Sequence, residues 1–234
     1  MAVNFNQAFN AGIRVDVGGS DDGYIGSLNK FKAYGITNTV NETNAFREGT
    51  TSKYTSVGDL GGITYGGNDL TADGPQSFLR AAALAKTELT AIRFYRNLTD
   101  FFMPDLAKSS TSSVQVSKHD VAEVDPNGLY AFDGEIVFKG QPVTFSIHHT
   151  STTMVVAADA GGDTLTDATS GQFVTDGIKV GDTILLGSLI TETTDKYTQH
   201  LVTAVTETVI TTDSLNALTA QLTGSSFTIH AGRF

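Results

Sequence analysis

Apolar and polar residues alternate along much of the first 150 residues of the chain. Ile13 and Val15 alternate with Arg14 and Asp16, which is the period of two expected of a β-strand with one buried and one solvated face. The same pattern and short apolar runs predict further strands at residues 92–96, 135–139 and 143–147.

One stretch predicts a helix. Residues 76–86 are dense in Ala and Leu, and Pro75 stands at the first turn, where a proline removes no helical hydrogen bond. Phe78, Ala82 and Ala85 lie on one helical face, so we expect this helix to cover an open end of the sheets.

A long polar segment precedes the helix. Residues 38–59 are rich in Thr and Asn, and their main large apolar side chains are Phe46 and Tyr54. A compact domain rarely keeps a structureless loop of about 20 residues unless the loop has a function. We therefore predict an extended hairpin or arm.

The last third of the chain is a series of short strands separated by Gly- and Asp-containing turns. Its six predicted strands lie at residues 153–157, 164–166, 183–186, 200–205, 208–212 and 227–230. So many short strands in so few residues predict a small β-barrel or sandwich.

Charge and composition change near residue 150. Residues 1–150 hold 12 Lys and Arg against 16 Asp and Glu, whereas residues 151–234 hold 3 against 9. This step predicts two domains, 1–150 and 151–234, with a link at Thr150–Thr153.

Composition then narrows the classes of function. The 234 residues include no Cys, which excludes disulfides, thiolate metal sites and a cysteine nucleophile. The net charge of −10 argues against a sequence-reading nucleic-acid binder and against a membrane-surface protein. No apolar run approaches the roughly 20 residues that span a bilayer, and the first 15 residues lack signal-peptide features, so we expect synthesis in a cytoplasm.

Histidine offers little catalytic chemistry. His148 and His149 are adjacent on a predicted strand, so their side chains are expected on opposite faces, where they cannot readily bind one metal ion. His119 precedes Asp120 and follows a Ser-rich run at 109–113, but no Gly-x-Ser-x-Gly nucleophile motif occurs.

The acidic residues also show no pattern of a metal-binding loop. Asp159, Asp163 and Asp167 recur every four residues, but the glutamate that completes a calcium loop is missing, so we interpret them as turn residues. The sequence leaves open a carboxylate pair for glycoside hydrolysis, because the distance between two carboxylates is invisible in it. We predict no catalytic, metal-binding or cofactor-binding residue, and a protein that is not an enzyme.

The predicted elements of residues 1–150 follow a definite order. A strand at 12–17 and a second strand with Leu28 and Phe31 precede the arm, and the helix, a strand at 92–95 and a closing pair at 134–147 follow it. This order resembles that of the major tail tube proteins of long-tailed bacteriophages. Residues 97–123 match no part of the family pattern.

Residues 151–234 carry a second resemblance. The sequence FVTDGIKVGDTILL at 173–186, followed by HLVTAVTETVITT at 200–212, is similar to a small β module that recurs in phage virion proteins. Asp163–Thr166 fits the opening strand of that module.

The resemblance implies a structural virion protein of the phage tail, assembled in the cytoplasm of a bacterial host. Hexameric rings would stack into a hollow tube that contacts other tail proteins and holds DNA and a tape-measure protein without reading sequence. An acidic lumen would let DNA slide, because it has little affinity for phosphate. Residues 151–234 would decorate the outside, and a chain lacking 152–234 would still form tubes.

In this family the arm reaches the next ring. The residues that the resemblance implies for this inter-ring contact are Asn41, Glu42, Phe46, Arg47, Glu48, Lys53 and Tyr54.

The predicted fold class is therefore mostly β. We expect a tail-tube-type sandwich or barrel with one helix and a long arm, followed by a small C-terminal barrel or sandwich. Two other functions remain open: a phage decoration, baseplate or tail-tip protein, and a carbohydrate-binding or adhesin module.

Overall fold

The structure is a computed structural model whose described residues are 11–16, 23–32, 36–37, 40–44, 51–55, 59–60, 62–70, 72–97, 99–124, 130–158, 162–186, 198–213, 218 and 221–233. They are mostly β, as predicted, with one α-helix, α1 (Gly74–Ala85), among them. None of the described residues forms a helix long and apolar enough to cross a membrane.

The strands before the helix are β1 (Gly12–Val15), β2 (Gly23–Tyr24), β3 (Leu28–Lys32), β4 (Ile36–Thr37), β5 (Val40–Asn44), β6 (Thr51–Thr55), β7 (Asp59–Leu60) and β8 (Ile63–Asn68). The strands after it are β9 (Glu88–Leu89), β10 (Ile92–Tyr95), β11 (Phe101–Pro104), β12 (Ser113–Val124), β13 (Tyr130–Lys139), β14 (Pro142–Ala157), β15 (Thr164–Thr166), β16 (Thr183–Leu186), β17 (Gln199–Val205), β18 (Val209–Thr212) and β19 (Gln221–Arg233).

The first half of the chain is a β-sandwich. One sheet has the strand order β3-β8-β13-β12-β9, and the other contains β14-β11-β10-β1-β2 as one end of a ten-stranded sheet. Apolar residues of both sheets form a single buried cluster, which includes Ile13 and Phe94 from one sheet and Tyr65 and Phe132 from the other. The alternation read from the sequence thus corresponds to the inward and outward faces of two packed sheets.

The predicted helix is confirmed. The carboxylate of Asp73 caps its first turn by accepting from the backbone N–H of Gln76 at 2.8 Å, and Lys86 ends it in a left-handed conformation. Leu79 and Ala82 are buried, whereas Ala85, which was expected on the same face, is exposed. The helix contacts β12 of one sheet and β2 of the other, so it covers one open side of the sandwich.

The second half closes into a six-stranded antiparallel barrel. Its order is β14-β15-β18-β17-β16-β19, and β19 pairs with β14 to complete the circle. Large apolar side chains such as Phe173, Ile210 and Phe227 fill its interior. Because each of these six strands has a neighbour on both sides, the structure decides between the predicted barrel and sandwich in favour of the barrel.

The link predicted at Thr150–Thr153 is wrong. These residues lie inside β14, which runs unbroken from Pro142 to Ala157 and belongs to both the sandwich and the barrel. Register shifts along its pairing with β19 mark bulges, which bend a strand without ending it. The division into domains 1–150 and 151–234 stays a prediction.

Residues 101–106, part of the segment 97–123 that matched no family pattern, join the two halves. β11 pairs with β10 and β14, and the buried side-chain amide of Gln199 in the barrel donates to the Pro104 carbonyl at 2.7 Å. The Gln199 side-chain carbonyl accepts from the Leu106 N–H at 2.8 Å. An apolar cluster crosses the same junction and consists of Phe101, Met103, Val143, Phe145 and Leu185.

Candidate assembly surfaces

The five-stranded sheet has one apolar face and one polar face. On β13 the buried Phe132, Ile136 and Phe138 alternate with Asp133 and Glu135, which face away from the core. The strand pairings place these further residues on the polar face: Lys30, Lys32, Thr64, Glu88, Gln115, Lys118, Asp120, Val137 and Lys139.

Charges on this polar face are balanced. Among the described residues it carries four Lys and four acidic side chains, and three ion pairs lie on it, the third joining Lys118 Nζ to Asp120 Oδ2 at 3.4 Å. Lys30 Nζ lies 3.2 Å from Asp133 Oδ1, and Lys139 Nζ lies 2.7 Å from Glu88 Oε1. The net charge of −10 is therefore not concentrated on this face.

Within the described residues, the strands on both sides of this sheet have an outer edge that pairs with no other strand. β3 is the last strand on one side, and on the other side β9 pairs only with Val114 and Gln115 of β12. No strand among the described residues pairs with the outer edge of β12 from Val116 to Val124. An open edge offers unpaired N–H and C=O groups to another strand.

The predicted arm is a hairpin. β5 pairs with β6, and β4 pairs with β7 at the base of the same segment; neither pair joins another strand within the described part of the chain. Asn41 lies opposite Tyr54, and Glu42 lies opposite Lys53. The other expected inter-ring residues, Phe46, Arg47 and Glu48, lie outside the described residues. No neighbouring chain is present, so the inter-ring contact stays a prediction.

The expectation for His148 and His149 is wrong. A register shift between Ile147 and His149 breaks the strict alternation of β14, and both imidazole rings turn to Asp176. Nδ1 of His148 lies 2.8 Å from the Asp176 carbonyl oxygen, and Nδ1 of His149 lies 2.7 Å from Oδ2 of the same residue. Nε2 of His149 lies 3.2 Å from Oδ2 of Asp167. His148 and His149 thus attach the turn at 173–177 to β14 through hydrogen bonds with Asp176.

Asp167, the second carboxylate that His149 contacts, is fully buried. Burial by itself would raise the pKa of its carboxyl, but hydrogen bonds outweigh that effect and hold the pKa well below its usual range. The donors are the Ser151 side chain, the Ser170 backbone, the Thr153 side chain and His149. No group of three or more His, Asp or Glu side chains in the described ranges is arranged to hold a metal ion.

The aspartates at spacing four behave as turn residues. The Asp163 carboxylate accepts from the backbone N–H of Leu218, and Asp167 accepts from the N–H groups of Thr169 and Ser170 at 3.2 and 2.9 Å. Asp159 lies outside the described residues.

His119 meets a tyrosine and not a serine. Its Nδ1 lies 2.9 Å from the hydroxyl of Tyr65, and its ring stacks on Phe132 at a centroid distance of 5.2 Å. Burial raises the pKa of Tyr65, so the phenol stays protonated, and burial together with the charge of Arg80 lowers the pKa of His119. The contact between Tyr65 and His119 is thus part of the side-chain packing around Phe132.

Two of the solved structures that match this chain have low structural similarity to it. Against a chain from the tail of an empty GTA particle, determined with C6 symmetry, the TM-score is 0.39 at 12% identity, covering 57% of this chain and 93% of that one. Against a type six secretion system protein the TM-score is 0.42 at 12% identity, covering 73% and 99%. No protein-family model and no curated protein sequence matches the chain. At these values no family is identified.

Proposed function

We propose that this chain is a structural tail protein of a long-tailed phage, and that it polymerises as rings stacked into a hollow tube. The observation that carries the proposal is the sheet with one polar face and two open edges, β3 and β12. A sheet that leaves long edges open is ordinarily an aggregation hazard, unless another copy of the chain pairs with them.

The strand count favours closure by copies of the same chain. Four long strands, β3, β8, β13 and β12, alternate in direction across the sheet. Because four is even, the two edges run antiparallel, so β12 of one copy and β3 of a copy related by rotation can form an antiparallel ladder. Such a contact joins two different patches, and it generates a ring when the rotation closes.

Ring closure would put the polar face toward an internal channel. Six copies, the number implied by the resemblance to tail tube proteins, would supply twenty-four strands. At a strand spacing of about 4.8 Å, such a barrel is roughly 40 Å across, which accommodates duplex DNA and a tape-measure protein. The balanced charges of the polar face would give DNA phosphates little net attraction and little repulsion.

The other two parts of the chain have separate roles in this proposal. The β5–β6 hairpin, including Asn41, Glu42, Lys53 and Tyr54, contacts the next ring. Phe46, Arg47 and Glu48, which follow β5 in the sequence, take part in the same contact. The closed barrel offers no open edge, so it decorates the outside of the tube and takes no part in the ladder.

Cross-linking tests the ring. The chain contains no Cys, so Lys30→Cys and Asp120→Cys place a single thiol at the β3 edge and at the β12 edge. With both changes, a flexible bismaleimide should join copies into a series that stops at the ring size, and negative-stain microscopy of concentrated protein should show hollow tubes or rings. Each single variant is the control. The proposed contact joins the β3 edge of one copy to the β12 edge of the next, so copies that carry only one of the two cysteines should not be cross-linked.

Particles that stay monomeric under both measurements would contradict the proposal. They would favour the alternative in which the chain is a phage decoration or baseplate protein. The closed barrel supports that alternative, because it is a complete module without a polymerising edge.

A further inference from the structure

The open edge of β3 carries one aromatic side chain between two lysines. Phe31 lies on the apolar face of the five-stranded sheet, where it is partly buried against the core, and Lys30 and Lys32 lie on the polar face. Lys30 pairs with Asp133, whereas Lys32 is exposed and forms no ion pair with any residue that the structure describes. The β3 edge thus offers an apolar side chain and an unpaired cation to a neighbouring strand.

The open edge of β12 is complementary to that of β3. Val121 lies on the apolar face and is 46% exposed, and Asp120 lies on the polar face with its side chain 65% exposed. Nζ of Lys118 lies 3.4 Å from Oδ2 of Asp120 on the same strand, but both side chains are at least half exposed, so Asp120 stays open to a second cation. Register shifts on both sides of residues 118–122 make them one regular stretch of open edge.

Matching faces leave two registers for an antiparallel ladder between these stretches. A slip of one residue would move every side chain of the added strand to the other face of the sheet. Phe31 must therefore lie opposite an apolar-face position of residues 118–122, and these positions are His119 and Val121.

The charges on the polar face favour the second register. With Phe31 opposite His119, Lys32 lies opposite Lys118, and like charges directly opposite each other are destabilising. With Phe31 opposite Val121, the unpaired Lys32 lies opposite the Asp120 carboxylate, and the exposed valine is covered by an aromatic ring.

Strand tilt also favours the second register. Within one subunit, Phe31, Tyr65, Gly134 and His119 lie in one row across the sheet. Continuing that row directly into the next copy would close a barrel without stagger, whereas the strands of a closed barrel tilt and their register is staggered. A shift of the contact from His119 to Val121 supplies a stagger of two residues at each copy.

We infer that the ring contact is a β3–β12 ladder in which Phe31 of one copy lies opposite Val121 of the next copy, and Lys32 lies opposite Asp120. This inference rests on the proposed ring assembly. The partner is a second copy of this chain, and the Lys32–Asp120 pair fixes the register of a ladder whose backbone hydrogen bonds any register could form.

Disulfide formation in assembled protein tests the register. In a chain with Lys32→Cys and Asp120→Cys, the thiols of directly opposite residues should be oxidised to a disulfide between copies. The matched control carries Lys32→Cys and Lys118→Cys, whose thiols lie on a diagonal and should react roughly tenfold more slowly. Within one chain, three strand spacings of about 14 Å in total separate β3 from β12, so neither pair can close inside a subunit.

Charge reversal tests the ion pair. Lys32→Glu places two carboxylates opposite each other and should raise the critical concentration for assembly roughly tenfold. Adding Asp120→Lys should restore assembly. The control combines Asp120→Lys with Lys30→Glu, which has the same net charge and should not restore it. The unfolding temperature of the free subunit should stay the same in all three, because these side chains are exposed.

The possible results separate the two proposals. If wild-type protein forms rings but position 32 is linked to 120 no faster than to 118, or Asp120→Lys fails to rescue Lys32→Glu, the register is refuted and the ring survives. If wild-type protein forms no rings or tubes, the ring proposal fails and this inference fails with it.

Discussion

Buried polar side chains at single positions hold the 173–177 turn of the barrel against β14. His149 lies between Asp167 and Asp176, two carboxylates that only accept hydrogen bonds. A bulge in β14 makes this possible, because it changes the face to which the next residue points. The adjacent histidines were visible in the sequence, but the bulge that brings them to one partner was not.

His230 of β19 packs on Phe101 at the junction between sandwich and barrel, and it makes the stability of that junction depend on pH. Burial is the main cause that lowers the pKa of His230 to about 4, and the charge of Arg93 acts in the same direction. Nδ1 of His230 is buried without a hydrogen-bond partner in the described part of the chain, and its ring packs on Phe101. Asp100 opposes the shift, and His148 adds to it.

The sign of the effect follows from the lowered pKa. An unfolded histidine binds a proton near pH 6.5, whereas folded His230 resists it until about pH 4, so stability is complete above about pH 7 and falls as the pH drops from 6.5 toward 4. At pH 4.5 we expect a loss of about 2–3 kcal/mol from this group. Urea unfolding at pH 7.5 and pH 4.5 should show a smaller loss for His230→Phe than for the wild type. Equal losses in the two proteins would contradict this assignment.

At the scale of elements, β14 decides how the molecule is divided. Along Thr144–Ser151 it pairs with β19, and at Pro142–Phe145 it also pairs with β11. A strand that is central to two structures cannot serve as a flexible hinge. The change in composition near residue 150 therefore falls inside a continuous strand, β14, and not in a loop between two domains.

Truncation after Ser151 should consequently fail, contrary to the expectation that a chain lacking 152–234 still assembles. Removal of β19 opens an edge of β14, and removal of Leu185 uncovers Phe101 and Phe145. We expect the truncated chain to aggregate or to unfold at a much lower temperature than the full chain. A milder variant, Leu185→Ala, should cost about 2–5 kcal/mol. Val180→Ala, a change at an exposed position of the barrel, is the matched control for Leu185→Ala. If the truncated chain unfolds cooperatively at the wild-type temperature, this account is refuted.

At the scale of the whole molecule, three surfaces point to different roles. The edges β3 and β12 are open, the β5–β6 hairpin pairs with no other described strand, and the barrel is closed. In a stacked assembly the open edges suit contacts within a ring, and the hairpin suits contacts between rings. The closed barrel suits exposure on the outside.

Removal of the hairpin separates contacts within a ring from contacts between rings. Replacing residues 41–54 by a short Gly/Ser linker should leave rings but abolish tubes in negative-stain images, because the ladder between β3 and β12 is untouched.

Lys53→Glu should shorten the tubes, while Lys179→Glu, the same charge change on the barrel, should not. Tubes of normal length from the chain without the hairpin would show that the inter-ring contact lies elsewhere.

The sequence by itself determined the local elements. Alternation at Ile13 and Val15, the Ala-rich run after Pro75 and the long polar segment at 38–59 identified strands, helix and hairpin, because periodicity and turn chemistry are properties of neighbouring residues. It also indicated the six strands of the last third, and it excluded cysteine chemistry.

Only the tertiary structure decided how these elements share strands and edges. The unbroken β14, the bulge at His148 and the open edge of β12 all depend on pairing between residues far apart in the chain. No local pattern records such pairing, because a strand with one wet face looks the same in sequence whether its edge is paired, open or closed into a barrel.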